Sequence, residues 1–147
     1  MIGYFICPKD EHWIAKANSI ISRLKTFRFF RYLESAESAV LLFKNKQANS
    51  YFHDDDHIFL SATGTLIFKD FFGLRALETI SGLIRSGETY SAIYPFLRGP
   101  FNLVSFDKRN RRLTILTDRE GLQSGFHSQK DGKSFFSSSR VSGKQYR

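Results

Sequence analysis

Hydrophobic positions along this chain change period several times, and each change marks an element. Gly3-Tyr4-Phe5-Ile6-Cys7 is a short continuous apolar run closed by Pro8, which predicts a buried strand at the start. Asp10 suits a helix N-cap, and Glu11 the first turn, where the helix dipole favours an acid. Trp13, Ile14, Ala17, Ile20, Ile21 and Leu24 then recur at helical spacing and give one apolar stripe. Residues 27–33 and 39–43 read as two strands around a polar turn at 34–38. Residues 50–53 and 57–60 form another pair around Asp54-Asp55-Asp56, and 65–68 continue the β pattern after Gly64.

Leu74, Leu77, Ile80, Leu83 and Ile84 mark a second amphipathic helix, ending near Ser86-Gly87. Tyr90, Ile93, Tyr94 and Leu97 predict a third, shorter helix that stops at Gly99-Pro100. Residues 101–106 and 113–117 look like a hairpin across a polar loop. Residues 126–128 and 134–136 look like another, with Asp131-Gly132 as turn chemistry. The Ser-rich, basic stretch 137–147 reads as loose. Many strands interrupted by a few helices give an α+β class with mostly antiparallel sheet.

Composition narrows the function classes. The 147 residues give no reason to divide the chain and are enough to bury a core without disulfides or metals. Cys7 is the only cysteine, which excludes an internal disulfide and fits a reducing compartment. The first eight residues lack the basic start and cleavage site of a signal peptide, and no run is long enough to span a bilayer. A cytoplasmic protein with no membrane contact is the expectation. The net charge of +8 favours anionic partners in general. Apart from Lys108-Arg109-Asn110-Arg111-Arg112 and the tail Lys144-Gln145-Tyr146-Arg147, however, the bases are scattered among acids and read as solvated surface.

An ordered series of motifs lies between residues 97 and 138. Leu97-Arg98-Gly99-Pro100-Phe101-Asn102-Leu103-Val104 is similar to "L-R-G-x-F-A-x-x", and Phe106-Asp107-Lys108 to a "W-D" turn. Arg112-Leu113-Thr114-Ile115-Leu116-Thr117-Asp118-Arg119-Glu120-Gly121 is similar to "R-L-x-L-x-R-D-R-x-G", and Gly132-Lys133-Ser134-Phe135-Phe136-Ser137-Ser138 to "G-x-L-x-F-A-S". Together they resemble the glutaminase-type, class II glutamine amidotransferase domain of asparagine synthetases, β-lactam synthetases and lasso-peptide cyclases. Upstream, residues 59–68 resemble that family's Asn-Gly strand and turn. Ser86-Gly87-Glu88-Thr89 sits at an "S-D-T-E"-like element, and Met1-Ile2-Gly3 where the family reads Met-Cys-Gly. Residues 27–53 show no match. The resemblance implies an N-terminal-nucleophile hydrolase fold: an antiparallel two-sheet sandwich flanked by helices, over residues 1–139, with 140–147 as a loose basic tail. Any missing part of the fold would be its C-terminal end.

The same resemblance implies that the catalytic site is lost. The family's nucleophile is the thiol of an N-terminal cysteine, with its own free α-amine as base. Ile2 stands there instead, and an alkyl side chain does neither job. Cys7 lies in an apolar run with no basic neighbour and is no replacement. Thr63-Gly64 stands where the family's Asn-Gly supplies an oxyanion-hole amide. Gly87 stands where an acid would grip the substrate amine, and the Arg of the family's "H-R-R-L" has no counterpart. Thr63, Gly64 and Gly87 are thus equivalents of a degenerate substrate pocket, and no catalytic residue is assigned.

Three other strings carry chemistry. His53-Asp54-Asp55-Asp56-His57 contains proper ligands for zinc or manganese, with His53 and His57 the metal candidates. The bland reading, a solvated acidic turn flanked by hairpin histidines, is preferred, and no metal or other cofactor is assigned. The cluster at 108–112 has the chemistry for phosphates but sits at a hairpin tip, where charges belong, so nucleic acid is not an expected partner. Asp118-Arg119-Glu120-Gly121 reads as a structural turn, with Arg119 paired to a carboxylate and Gly121 meeting a backbone need. The pyrophosphate loop "S-G-G-x-D-S" does not occur in these 147 residues.

The expected function is therefore an inactive glutaminase-like scaffold or docking domain of an ATP-dependent, amide-forming ligase. Its partner would be a synthetase domain or ligase subunit, in cis or in trans. Two alternatives stand beside it: an active amidotransferase with a different nucleophile, and a stand-alone basic module that binds nucleic acid.

Overall fold

The continuous apolar run at residues 3–7 is buried on both faces, which is why it does not alternate. In the computed structural model, which describes residues 2–45, 51–121, 126–130 and 132–138, it forms strand β1 (Ile2–Pro8). Helix α1 (Glu11–Arg23) follows, then β2 (Phe27–Glu34), β3 (Ser38–Asn45), β4 (Phe52–Asp54), β5 (Ile58–Gly64), β6 (Ile67–Phe68) and β7 (Phe71–Phe72). Helices α2 (Leu74–Arg85) and α3 (Tyr90–Ile93) come next, with a 3-10 turn at Tyr94–Phe96. The chain continues as β8 (Leu97–Arg98), β9 (Phe101–Asp107), β10 (Arg112–Thr117), β11 (Phe126–Lys130) and β12 (Lys133–Ser137). The class is α+β, with three antiparallel sheets and three α-helices among the described residues. No described helix is long and apolar enough to cross a membrane.

The elements group into two compact units, residues 1–50 with 124–147, and residues 51–123. The first holds a five-stranded sheet in the order β11-β12-β1-β3-β2. β1 lies at its centre, paired with β3 from Ile2↔Lys44 to Pro8↔Ser38 and with β12 at Phe5↔Ser137 and Ile6↔Phe136. The Asp10 carboxylate accepts the His12 amide at 2.8 Å, as an N-cap should, and starts α1. The helix turns Ala17, Ile20 and Ile21 onto Phe5, Cys7, Leu41, Phe43 and Phe135. Each buried isoleucine there contributes about 2 kcal/mol. Trp13 meets the Phe135 ring edge-on at 4.8 Å between centroids. β2 forms one edge of this sheet, and its register with β3 shifts between Phe29 and Arg31.

Two residues expected to be loose are held in this unit. Ser137 closes β12, and the Ser138 amide donates to the Tyr4 carbonyl at 3.1 Å while its Oγ accepts the Tyr4 amide at 2.8 Å. Ser50, Asp131 and residues 139–147, which the sequence reading placed in a strand, a turn and a loose tail, lie outside the described residues.

The second unit holds a four-stranded sheet, β10-β9-β5-β4, and a small three-stranded one, β7-β6-β8. β5 and β9 pair from Ile58↔Asp107 to Gly64↔Phe101, and β9–β10 is the expected hairpin. Ala76, Leu77 and Ile80 of α2 pack with Leu60, Ala62, Phe68, Phe101 and Leu103. The third helix departs from expectation. It ends at Ile93, because Pro95 lacks an amide to continue the ladder, and Leu97 and Arg98 pair with β6 instead. The small sheet is a further difference from a two-sheet expectation. Its strands are two residues long, too short to print an alternation.

Candidate functional site

The backbone of Ile2, expected from the resemblance to stand at a nucleophile position, begins β1 opposite Lys44 in the first unit. Five residues on, Cys7 is wholly buried, and burial first, then the Asp10 charge, push its thiol up to about 12. A thiol there is almost entirely protonated near neutral pH, so it supplies no nucleophile.

Thr63, Gly64 and Gly87 belong to the second unit. Thr63 is buried opposite Asn102, and Gly64, at φ 88°, gives its carbonyl to the Tyr51 hydroxyl at 3.0 Å. Gly87 has a backbone role of its own. The Gly87 amide donates to the Ile84 carbonyl at 3.1 Å and the Glu88 amide to the Leu83 carbonyl at 2.9 Å. With φ at 102°, this is a Schellman closure of α2, and it calls for glycine.

The acidic turn between β4 and β5 is built around Asp55. One carboxylate oxygen accepts the His57 and Ile58 amides at 2.7 and 2.9 Å. The other takes His53 Nε2 at 2.7 Å, Arg85 at 2.9 Å and Ser81 Oγ at 3.2 Å. Burial pushes this carboxyl up, but the bonds from His53, His57 and Ile58 and the Arg85 charge outweigh it. The group lies well below the usual carboxylate range. Asp55 thus fastens α2 to the turn.

His53 is committed to Asp55, and His57 Nε2 lies 3.3 Å from Arg109. Among the described residues, no three His, Cys, Asp or Glu side chains are arranged to hold a metal ion. The basic loop leans on the same turn: Lys108 Nζ donates to Asp54 Oδ1 at 2.5 Å and to the Asp55 carbonyl at 2.6 Å. Lys108, read as a possible phosphate contact, is spent on protein.

Asp118 is buried, and its Oδ1 accepts the Phe101 amide at 3.3 Å while its own amide donates to the Phe101 carbonyl at 3.1 Å. Gly121 stands at φ 64°, the backbone need expected of it. Arg119 differs from expectation: its guanidinium lies 5.2 Å from the centre of the Tyr94 ring, and among the described residues it forms no ion pair with a carboxylate. An exposed arginine beside a phenol ring loses little hydration by stacking, which makes the ring a ready partner.

The Asp118–Phe101 bonds bring residues 118–120 beside 94–99, and between them opens a cleft of about 540 Å³. Tyr94, Pro95, Leu97 and Phe101 supply its apolar lining, and Arg98, Asp118, Arg119 and Glu120 its charged lining. Reading the sequence missed this cleft, since its two halves are far apart in the chain. The one available signal was that both halves carried motif residues. No family model and no curated protein matches the chain.

Proposed function

We propose that this chain is a glutaminase-like domain of the asparagine synthetase type that no longer hydrolyses glutamine. In this reading it serves as scaffold or docking domain for an ATP-dependent, amide-forming ligase whose synthetase part is joined in cis or supplied in trans. The α+β class with antiparallel sheets is the one that an N-terminal-nucleophile hydrolase fold would require. The observation that carries the reading is the pairing of motif and chemistry. Residues 97–121 carry the family's ordered motifs, while position 2 holds an isoleucine and the sole cysteine is a buried thiol pushed up to about 12. A ligase that uses an internal amine needs no ammonia from glutamine, so a silent front domain costs it nothing.

Two experiments test this. Incubation with a glutamine-analogue electrophile should give no covalent adduct and no ammonia from glutamine; an adduct mapped to one residue would restore the active-amidotransferase alternative. Intact-mass analysis of the native gene product, with its co-captured proteins identified, should reveal a synthetase part carrying the "S-G-G-x-D-S" loop, in the same chain or a partner. Its absence from both would overturn the docking role.

A further inference from the structure

We infer that the cleft between residues 94–99 and 118–120 binds a small organic carboxylate with a flat apolar body. Its volume of about 540 Å³ falls within the range of small-molecule pockets. The accessible part of the wall suits such a body: Tyr94 and Pro95 present flat apolar surface, while Leu97 and Phe101 are buried and complete the lining. Arg98 and Arg119 line the same space, both exposed, and neither forms an ion pair with a carboxylate among the described residues. The Arg119 guanidinium lies 5.2 Å from the centre of the Tyr94 ring, a contact that uses none of its N–H donors on a carboxylate. Two guanidinium groups beside an aromatic wall match the charged end and the ring of one ligand.

The remaining charges decide which anion fits. Asp118 and Glu120 also line the cleft, but Asp118 is buried with its Oδ1 on the Phe101 amide, so the exposed charges are two arginines and one acid. That small excess suits a single negative charge and is too little for a polyphosphate or a nucleic-acid backbone, which need a strongly positive surface. Gly99 keeps the floor in place. It stands at φ 94°, and a side chain there would run into the Thr65 carbonyl. The inference does not rest on the docking role proposed above, because it is argued from the lining and charges of the cleft alone.

Backbone amide NMR on the intact chain tests it, with benzoate as probe and benzyl alcohol as its uncharged counterpart. Benzoate should shift the Gly99, Phe101 and Arg119 amides saturably, and benzyl alcohol should bind about tenfold or more weakly. Arg98→Gln with Arg119→Gln should reduce the benzoate response to that of the alcohol. Equal responses to the two probes, no response to benzoate, or shifts confined to the 108–112 loop would each overturn the proposal. Should the double variant fold poorly, the comparison of the two probes on the unaltered protein still decides.

Discussion

The Phe43 ring lies across Gly3 from the neighbouring strand, in the space that a β-carbon on residue 3 would need. Phe43 is buried and meets Phe27 edge-on at 5.3 Å between centroids, so the ring has little room to retreat. Gly3→Ala should therefore destabilise the first unit by about 1–3 kcal/mol, the usual cost of overpacking. Urea unfolding checks this. In a double-mutant cycle, Phe43→Leu should relieve much of the alanine penalty, and strictly additive effects would show that the ring is not the obstacle.

Asp55 should make stability depend on acid. Folding lowers its pKa, so below the ordinary aspartate value of about 3.9 the folded chain binds fewer protons than the unfolded one. Its contribution is full above that value and is lost as pH falls toward the folded pKa. Asp55→Asn should cost about 2–3 kcal/mol near neutral pH, since it removes charged acceptors from Arg85 and His53. The variant should also lose less stability than the parent when urea midpoints at about pH 6 and pH 3 are compared. Parallel losses in the two proteins would count against the assignment.

Two glycines share a positive φ but not their surroundings. Gly87 faces open space at φ 102°, so Gly87→Ala should cost only the conformational penalty of about 1–2 kcal/mol, with Gly87→Asn milder. Gly99→Ala adds a collision with the Thr65 carbonyl and should cost clearly more. Thermal melts of the three variants give the order, and equal losses at the two sites would refute the collision.

The Cys7 thiol should resist alkylation and disulfide-exchange reagents at mildly alkaline pH in the native protein and react readily in denaturant. Rapid stoichiometric labelling without denaturant would contradict its placement between α1 and the sheet.

Elements whose local signals agreed were legible in the sequence. Asp10 before a 3.6-residue stripe announced α1, and the apolar run behind Met1 announced β1. The two runs flanking Asp107 announced the β9–β10 hairpin. What escaped was set by contacts at a distance. Phe71–Phe72 and Leu97–Arg98 are strands only because β6 lies between them. Tyr94 carried a helical spacing that Pro95 cuts short. Gly87 was read in the sequence only through the resemblance, whereas the fold gives it the role of terminating α2. Arg119 found an aromatic ring where a carboxylate was expected, because Asp118 holds Phe101 and draws residue 119 toward Tyr94.

The irregularity in β2 bears on how the molecule behaves in company. An outer strand offers its free backbone groups as a template on which another chain can zip. Here the register slip between Phe29 and Arg31 interrupts that row, in a stretch where Phe29 is half exposed and Arg28 stands beside it in solvent. A second copy laid along this edge would lose alignment after a few residues and bring like charges together. Crowded solutions of the chain should therefore resist fibril growth from this margin, and a straightened, uncharged β2 would forfeit that protection.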